Sequence, residues 1–164
     1  MPEVAVFLLG IALLYSLKQG APYVPTKRQG MAQALKLLDL PKGSTIVDIG
    51  SGDGRVLRFA AEHGYRAVGI ELNPVLWWCS RLLSLRHGQN VQVELGNLWR
   101  WQLPAETRGV FIFSAEVFTE RLAAWLQAEH ERLGHPLKVV TYGAQLPGRT
   151  SQAEGQGCSL YIFD

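Results

Sequence analysis

The most constraining feature of the sequence is a short loop, residues 50–54, in which three glycines alternate with a serine and an aspartate. An apolar run, residues 45–49, precedes the loop and a helix-like stretch follows it, so the segment predicts a strand, a tight turn and a helix. Glycines at the end of a strand let a ligand approach the backbone, because no Cβ lies in the way. The loop therefore predicts an α/β fold with a ligand at the carboxyl end of its first strand.

From residue 44 onward, apolar runs alternate with helical stretches, which predicts right-handed crossovers and a doubly wound, mainly parallel sheet. The predicted strands are residues 45–49, 67–71, 91–95, 110–113, 138–142 and 159–163. The predicted helices are residues 29–40, 54–63, 74–86 and 116–133. Only 22 residues follow Tyr142, too few for another helix and two strands. We therefore expect an antiparallel hairpin, residues 149–154 with 158–163, to close the sheet.

The N-terminus is strongly apolar. Residues 4–17 hold only a serine and a glycine among apolar side chains, and these 14 residues are fewer than a membrane-spanning helix needs. A signal peptide fits poorly, because the start carries no positive charge and no small-residue cleavage site follows. We predict an apolar helix over residues 1–18 that inserts into a membrane or lies in its interface. The alternative is a helix buried against a neighbouring protein chain.

Charge is distributed unevenly along the chain. The net charge of +2 gives no overall basic field of the kind that binds nucleic acid, yet residues 18–44 carry five Lys and Arg against one Asp. Basic residues beside an apolar helix favour its cytoplasmic side and contact with lipid headgroups. We divide the chain into the N-terminal helix, a basic arm and helix over residues 19–43, and a ligand-binding domain over residues 44–164. The two cysteines and four histidines lack ligand spacing, so we expect no metal site and no disulfide framework.

Two acidic residues indicate the chemistry of the ligand. Asp53 stands at the start of the predicted helix, where its carboxylate would repel a pyrophosphate but would suit an ammonium group; alternatively, it is only the helix N-cap. Glu71 ends the second predicted strand, where a carboxylate can accept hydrogen bonds from two ribose hydroxyls. A ligand that has an adenosine and an amine but no phosphate is S-adenosylmethionine.

The motifs around these residues resemble those of a known family. VDIGSGDGRV followed by GIELNP is similar to class I methyltransferases. More closely, residues 20–164, with PYVPT, SGDGR, ELNP, NLW and the ending LYIFD, resemble the lysine methyltransferases of the adenine nucleotide translocase and the ATP synthase c-ring protein, with their prokaryotic relatives. The resemblance implies a Rossmann-like fold, S-adenosyl-L-methionine as cofactor and a lysine of a membrane protein as substrate. It also implies an apolar segment before the catalytic domain, on the cytoplasmic side of a prokaryotic membrane or, in a eukaryote, at a mitochondrial membrane.

The resemblance also implies which residues bind the cofactor. These candidates are Tyr23, Thr26, Asp48, Gly50, Ser51, Gly52, Asp53, Glu71, Leu72, Asn73, Asn97 and Leu98. Asn97 stands where the family carries an acid that accepts the adenine amino group. Its carbonyl oxygen can still accept that hydrogen bond, though without the assistance of a negative charge.

Three residues are candidates for the catalytic step. An acceptor lysine must be neutral, and an apolar or aromatic channel beside a positive sulfonium lowers its pKa. The predicted place for it is the end of the fourth strand, at Ser114 and Glu116. Glu116 would accept a hydrogen bond from the substrate ammonium, unless it only stabilises the start of a helix. Tyr23 would face the sulfonium or the lysine through a cation–π contact, unless it packs on the sheet edge.

Other functions remain open from the sequence. Nucleic-acid amino-methyltransferases carry two prolines and an aromatic after the fourth strand, so that a flipped base can stack, and SAEVF lacks them. Trp77 and Trp78 lie in a helical run and are expected to pack in a core or an interface. A small-molecule N-methyltransferase and a membrane-tethered module that binds S-adenosylmethionine without turnover are further alternatives.

Overall fold

The structure is a computed structural model that describes residues 26–114 and 119–164, together with Gly10. The rest of the predicted N-terminal helix, residues 4–17, lies outside the described residues, so its conformation stays a prediction. In the part of the chain that is described, no helix is both long enough and apolar enough to cross a membrane.

The described part folds as an α/β sandwich around one sheet. Its helices are α1 (Arg28–Leu38), α2 (Arg55–Glu62), α3 (Pro74–Ser84) and α4 (Thr119–Leu133). Its strands are β1 (Thr45–Ile49), β2 (Arg66–Glu71), β3 (Val91–Leu95), β4 (Thr107–Ser114), β5 (Leu137–Gly143), β6 (Ala153–Gly155) and β7 (Cys158–Phe163). Short 3-10 turns, Leu85–Asn90 and Leu98–Arg100, precede and follow β3.

The strands form a seven-stranded sheet in the order β3-β2-β1-β4-β5-β7-β6. β1 pairs in parallel with β2 and β4, β2 with β3, and β4 with β5. β7 runs antiparallel to β5 and forms a hairpin with β6. The predicted doubly wound, mainly parallel sheet with an antiparallel C-terminal strand is therefore confirmed.

The C-terminal hairpin is shorter than predicted. Its first strand is β6, Ala153–Gly155, where we expected residues 149–154. The backbone amide of Ile162 donates to the side-chain Oε1 of Gln152, 3.1 Å away, instead of to a strand carbonyl. This side-chain contact replaces the next ladder bond and ends the pairing of β6 with β7.

Each face of the sheet carries its own apolar core. On one face, Met31, Ala34 and Leu38 of α1 and Leu57 and Phe59 of α2 are buried against the sheet. On the other face, α4 buries Leu122 and Leu126 against side chains of β1, β4, β5 and β7. α3 lies beside α2, and its Trp77 Nε1 donates to the carbonyl oxygen of Val93, 3.0 Å away. Three helices thus cover the first face, next to the loop that the sequence singles out.

The start of α2 touches α3 at Gly54, which is the N-cap of α2 and has φ +76°. A Cβ at Gly54 would lie 2.0 Å from Ser80 Oγ and 3.1 Å from Ser80 Cβ, whereas a Cβ at Gly50, φ +72°, would meet nothing within 4 Å. We expect Gly54→Ala to lower the free energy of unfolding by about 2 kcal/mol, because it adds overpacking to backbone strain. Gly50→Ala, the matched control, carries the strain alone and should cost about 1 kcal/mol. Chemical denaturation without ligand measures both.

A double-mutant cycle tests the steric part of this argument. Ser80→Gly removes both atoms that a Cβ at Gly54 would meet. Gly54→Ala should therefore cost about 1 kcal/mol less in the Ser80→Gly background than in the wild-type chain. Strictly additive costs would show that the close approach of α2 to α3 does not account for the loss.

Candidate active site

The glycine loop is fastened to the end of the second strand. The backbone amides of Gly50 and Ser51 both donate to the carbonyl oxygen of Ile70, at 3.0 and 3.1 Å. Gly54 N then donates to Ser51 O at 2.9 Å and closes the turn that leads into α2. The loop therefore lies at the carboxyl ends of β1 and β2, where parallel sheets of this kind bind ligands.

Glu71 joins the loop to the start of α3. Its buried carboxylate accepts a hydrogen bond from Gly52 N through Oε2 at 2.8 Å, and one from Asn73 N through Oε1 at 2.7 Å. An ionised carboxylate has about four acceptor sites, so each oxygen keeps capacity for one further donor. The geometry of Glu71 suits a ligand that presents two hydroxyl groups.

Asp53 lies in a cluster with two arginines. Its Oδ1 accepts from Arg55 N at 3.1 Å, and its Oδ2 accepts from Arg55 Nη2 at 2.9 Å. Arg58 Nη2 lies 3.9 Å from Oδ2. Burial alone would raise the pKa of Asp53, but the hydrogen bonds from Arg55 and the charges of both guanidinium groups outweigh it and lower that pKa. Gly54, and not Asp53, is the N-cap of α2. Any ligand ammonium at Asp53 would share the carboxylate with these two arginines.

Asp48 ends β1 beneath the loop and is 4% exposed. Burial raises its pKa to about 8, and the nearby charges of Glu71 and Asp53 act in the same direction. The Asp48 carboxyl therefore holds a proton at neutral pH. The Oγ of Ser51 is buried nearby in sequence and has no hydrogen-bond partner among the described residues.

Two asparagines follow the ends of β2 and β3. Asn73 is the N-cap of α3, and its Oδ1 accepts from Val75 N at 2.9 Å. Asn97 caps the 3-10 turn after β3, and its Oδ1 accepts from Trp99 N at 3.0 Å. The oxygen that we expect to accept an adenine amino group thus already accepts one hydrogen bond, with one lone pair remaining.

The structure brings most of the predicted cofactor residues to one edge of the sheet. Asp48, the loop, Glu71, Asn73 and Asn97 all lie at the carboxyl ends of β1, β2 and β3. Leu72 is half-buried beside them, Leu98 packs against the core on the α4 face, and Thr26 is buried just before α1. Their roles at a cofactor stay predictions.

The predicted catalytic residues are largely beyond the reach of the structure. Tyr23 and Glu116 lie outside the described residues. Ser114 ends β4, where its backbone is in register with Gly143 of β5. The backbone of Ser114 thus stands at the same edge of the sheet as the glycine loop, and the catalytic assignment stays a prediction.

An aromatic pair that our sequence reading missed stands at this edge. Phe113 and Tyr142 face each other in register at the ends of β4 and β5, with ring centroids 5.5 Å apart. The Tyr142 ring also lies against α1, because a Cβ on Gly30 would be 3.2 Å from its Cε2 atom. Aromatic residues one position before the end of two neighbouring strands are the signal that would have identified the pair.

These features fit S-adenosylmethionine. The Glu71 carboxylate has spare acceptor capacity, the space beside Gly50 is open, and the buried Ser51 hydroxyl lacks a partner within the described part of the chain. A buried hydroxyl without a partner is costly, so a polar ligand group in this place would stabilise the site. Phe113 and Tyr142 supply aromatic surface on the other side of the edge.

Comparison with known proteins agrees with this fold. An RNA methyltransferase from Salinibacter ruber, solved in complex with S-adenosyl-L-homocysteine, superposes with a TM-score of 0.73 and 27% sequence identity. The match covers 85% of this chain and 92% of that protein. The sheet and its glycine-loop edge therefore define a Rossmann-like methyltransferase fold. The sequence profile described as the ANTKMT methyltransferase domain matches residues 48–153, so the chain belongs to that family.

Two curated relatives have more specific names. A lysine N-methyltransferase of Xenopus laevis, named for the ATP synthase c-ring protein, is 39% identical over 110 residues, which are 66% of this chain and 48% of that protein. An adenine nucleotide translocase lysine N-methyltransferase of Mus musculus is 36% identical over 116 residues, 69% of this chain and 50% of that protein. The chain thus spans about half the length of the curated relatives it matches.

Proposed function

We propose that the domain binds S-adenosylmethionine at the edge formed by the glycine loop and Glu71, and that it methylates a lysine side chain of a protein. The observation that carries the cofactor assignment is the Glu71 carboxylate, which holds Gly52 and Asn73 and keeps one acceptor site on each oxygen. Family membership and the names of the curated relatives support lysine as the acceptor.

The residues of the site would divide the work between binding and positioning. Glu71 would accept two ribose hydroxyls, and Asn97 would accept the adenine amino group through its remaining lone pair. Bound S-adenosylmethionine supplies a methyl group on a positively charged sulfonium. Phe113 and Tyr142 would line the path of the acceptor lysine, exclude water and lower the pKa of its ammonium by desolvation. Ser114, Glu116 and Tyr23 would complete the acceptor side.

Cofactor binding should depend strongly on Glu71. We expect Glu71→Gln to weaken the binding of S-adenosylhomocysteine at least tenfold, because the amide has one acceptor oxygen where the carboxylate has two. Its NH₂ group would also oppose a backbone N–H of Gly52 or Asn73, and hydrogen bonds to a charged group contribute about 1.5–3 kcal/mol. Calorimetry measures the dissociation constant.

The matched control for this experiment is Glu94→Gln on the neighbouring strand. Glu94 is exposed and its Oε2 accepts from Trp101 Nε1 at 2.7 Å. Because side chains alternate along a strand, Glu94 points away from the face that Leu95 shares with Glu71. Its substitution should leave the affinity unchanged. Equal affinity of both variants would refute the assignment of Glu71.

The acceptor is tested by labelled methyl transfer. The full chain and labelled S-adenosylmethionine are incubated with membranes, and acid hydrolysis should release labelled methyl-lysine. Tyr142→Ala should lower the rate at least tenfold through the loss of positioning, while Tyr142→Phe, which keeps the ring, should retain most of it. Label in lipid or a metabolite with no methyl-lysine would overturn the proposal, and cofactor binding without any transfer would favour a non-catalytic module.

RNA is the second candidate acceptor. The observation that favours it is the overlap with the RNA methyltransferase from Salinibacter ruber, which extends over most of both chains. The same assay separates the two candidates when RNA is added beside the membrane proteins. Label recovered in nucleosides, with no methyl-lysine, would select RNA.

We also propose that residues 4–17 hold the enzyme at a membrane and that its substrate is a membrane protein. The apolar composition of that segment and the basic residues that follow it support the proposal. Tethering would raise the effective concentration of membrane substrates to the millimolar range. The full chain should sediment with membranes and be released by detergent but not by salt. Recovery in the supernatant without detergent would contradict the anchor.

A further inference from the structure

The third helix, α3, presents its apolar side to solvent. Ser80 and Ser84 are its buried residues. Trp78, Leu82 and Leu83 are 63%, 56% and 51% exposed, and Leu85, in the 3-10 turn that continues α3, is 73% exposed. We name these four residues, Trp78, Leu82, Leu83 and Leu85, the α3 patch.

This arrangement reverses the usual order of a surface helix. Such helices bury an apolar stripe and expose polar residues. Here the buried Oγ atoms of Ser80 and Ser84 have no hydrogen-bond partner among the described residues. Trp78, Leu82 and Leu85 have the i, i+4, i+7 spacing that aligns side chains along one side of a helix. Contiguous exposed apolar residues of this kind mark an interaction surface.

The surroundings of the α3 patch are positively charged. Residues 72–93 contain Arg81 and Arg86 but no Asp or Glu. More widely, residues 26–93 carry nine Lys and Arg against five Asp and Glu, whereas residues 94–164 carry six against eight. The half of the chain that includes α1, α2 and α3 therefore has net charge +4 and the other half −2. A surface that is apolar in its centre and basic around it complements an anionic bilayer.

We propose that the α3 patch docks the catalytic domain on the surface of an anionic lipid bilayer. Trp78, Leu82 and Leu85 would enter the boundary between headgroups and acyl chains, and Arg81 and Arg86 would meet lipid phosphates. Trp at such boundaries and Leu and Arg on opposite sides of a helix are typical of helices that lie in a membrane interface. The contact is separate from residues 4–17 and does not require methyl transfer.

A second copy of the chain fits this surface less well. An isologous dimer would bring the same patch of both copies together, and with it Arg81 and Arg86 of each. No carboxylate between residues 72 and 93 would offset that repulsion. On a bilayer, by contrast, α3 would hold the nearby edge of the sheet close to the membrane, because α3 begins at Pro74, three residues after Glu71.

Cys79 allows the contact to be measured locally. It is exposed on α3 next to Trp78, whereas Cys158 is buried and its pKa is raised to about 11 by burial, so a thiol reagent will select Cys79. The full chain is labelled at Cys79 with an environment-sensitive fluorophore. It is then mixed with phosphatidylcholine vesicles that contain about 30% phosphatidylglycerol, or none. We expect a blue shift and quenching by brominated lipids with the anionic vesicles, reduced severalfold without phosphatidylglycerol.

Paired variants separate the patch from the N-terminal segment. Leu82→Gln with Leu85→Gln should weaken the fluorescence response about tenfold, because the exposed apolar area is lost. Leu82→Met with Leu85→Met keeps size and apolar character and should respond like the parent. Arg81→Gln should weaken the response more than Arg100→Gln, an equally exposed charge on the 3-10 turn after β3.

Two results would overturn the proposal. In the first, the labelled protein binds the anionic vesicles while the Cys79 signal stays that of water, so that residues 4–17 alone hold the membrane. In the second, the signal is already shifted before lipid is added, so that a second copy or residues 4–17 cover the patch. Because pure lipid vesicles contain no acceptor, neither result depends on the proposed lysine methylation.

Discussion

Glu129→Ala is expected to lower the free energy of unfolding by about 3–4 kcal/mol, since it breaks a buried ion pair from one side. Glu129 is 5% exposed, and its Oε2 accepts from Arg132 Nη2 and from Leu103 N at 2.6 and 2.7 Å. Arg132 Nη2 also donates to Leu103 O at 2.6 Å. Removal of the carboxylate leaves a buried amide without its acceptor and a guanidinium without its counter-charge. Denaturant unfolding measures the loss.

Glu131→Ala is the matched control on the same helix. Glu131 is exposed and its carboxylate accepts only from Gln127 Nε2 among the hydrogen bonds described for it, at 2.7 Å. Its substitution should change the free energy of unfolding by no more than about 0.5 kcal/mol. Glu129→Gln should fall between the two, because the amide still accepts one hydrogen bond. Similar losses for Glu129→Ala and Glu131→Ala would refute the role given to the buried network.

The fold was predictable because its signals are local. β1 and β3 have the bounds that the sequence predicts, residues 45–49 and 91–95. In both cases an apolar run lies between segments rich in Gly, Asn or Asp, which end strands. The position of the ligand edge followed from the same signals, because parallel strands bring their carboxyl ends to one side.

The packing of α3 was not predictable from its composition. Trp77 and Trp78 both belong to an apolar helical run, and we expected them in a core or an interface. Trp77 is half-buried and bonded to Val93, as a core position would be, but Trp78 is exposed. Periodicity identifies the apolar side of a helix, yet it cannot tell whether the sheet or another partner covers that side.

Contacts between distant residues were also beyond the sequence. Glu129, Leu103 and Arg132 form one network although 26 residues separate the carboxylate from the amide it accepts. Tyr142 packs against Phe113 and α1 because β4 and β5 are neighbours in register. Glu71 was found because the end of a strand is a local feature, whereas the partners of Asp53 depend on the path of α2.

Stability should fall as the pH rises from 5 to 8, by about 3–5 kcal/mol in total, and Asp48 should account for that slope. The Asp48 carboxyl has a pKa near 8 in the folded chain, chiefly because it is buried, against an ordinary pKa of 3.8. Between these two values the folded state binds one proton more than the unfolded state. Each pH unit in this range therefore costs up to about 1.4 kcal/mol, and the slope vanishes below and above it.

The variant Asp48→Asn tests this assignment, because an amide keeps the shape of the protonated carboxyl and cannot ionise. We expect it to match the wild-type chain near pH 4 and to be the more stable of the two at pH 8. Asp39→Asn, at an exposed carboxylate on the C-cap of α1, is the control and should leave the pH dependence unchanged. Urea unfolding without ligand at several pH values measures the slopes. If Asp48→Asn loses stability between pH 5 and 8 as steeply as the wild-type chain does, the proton does not reside on Asp48.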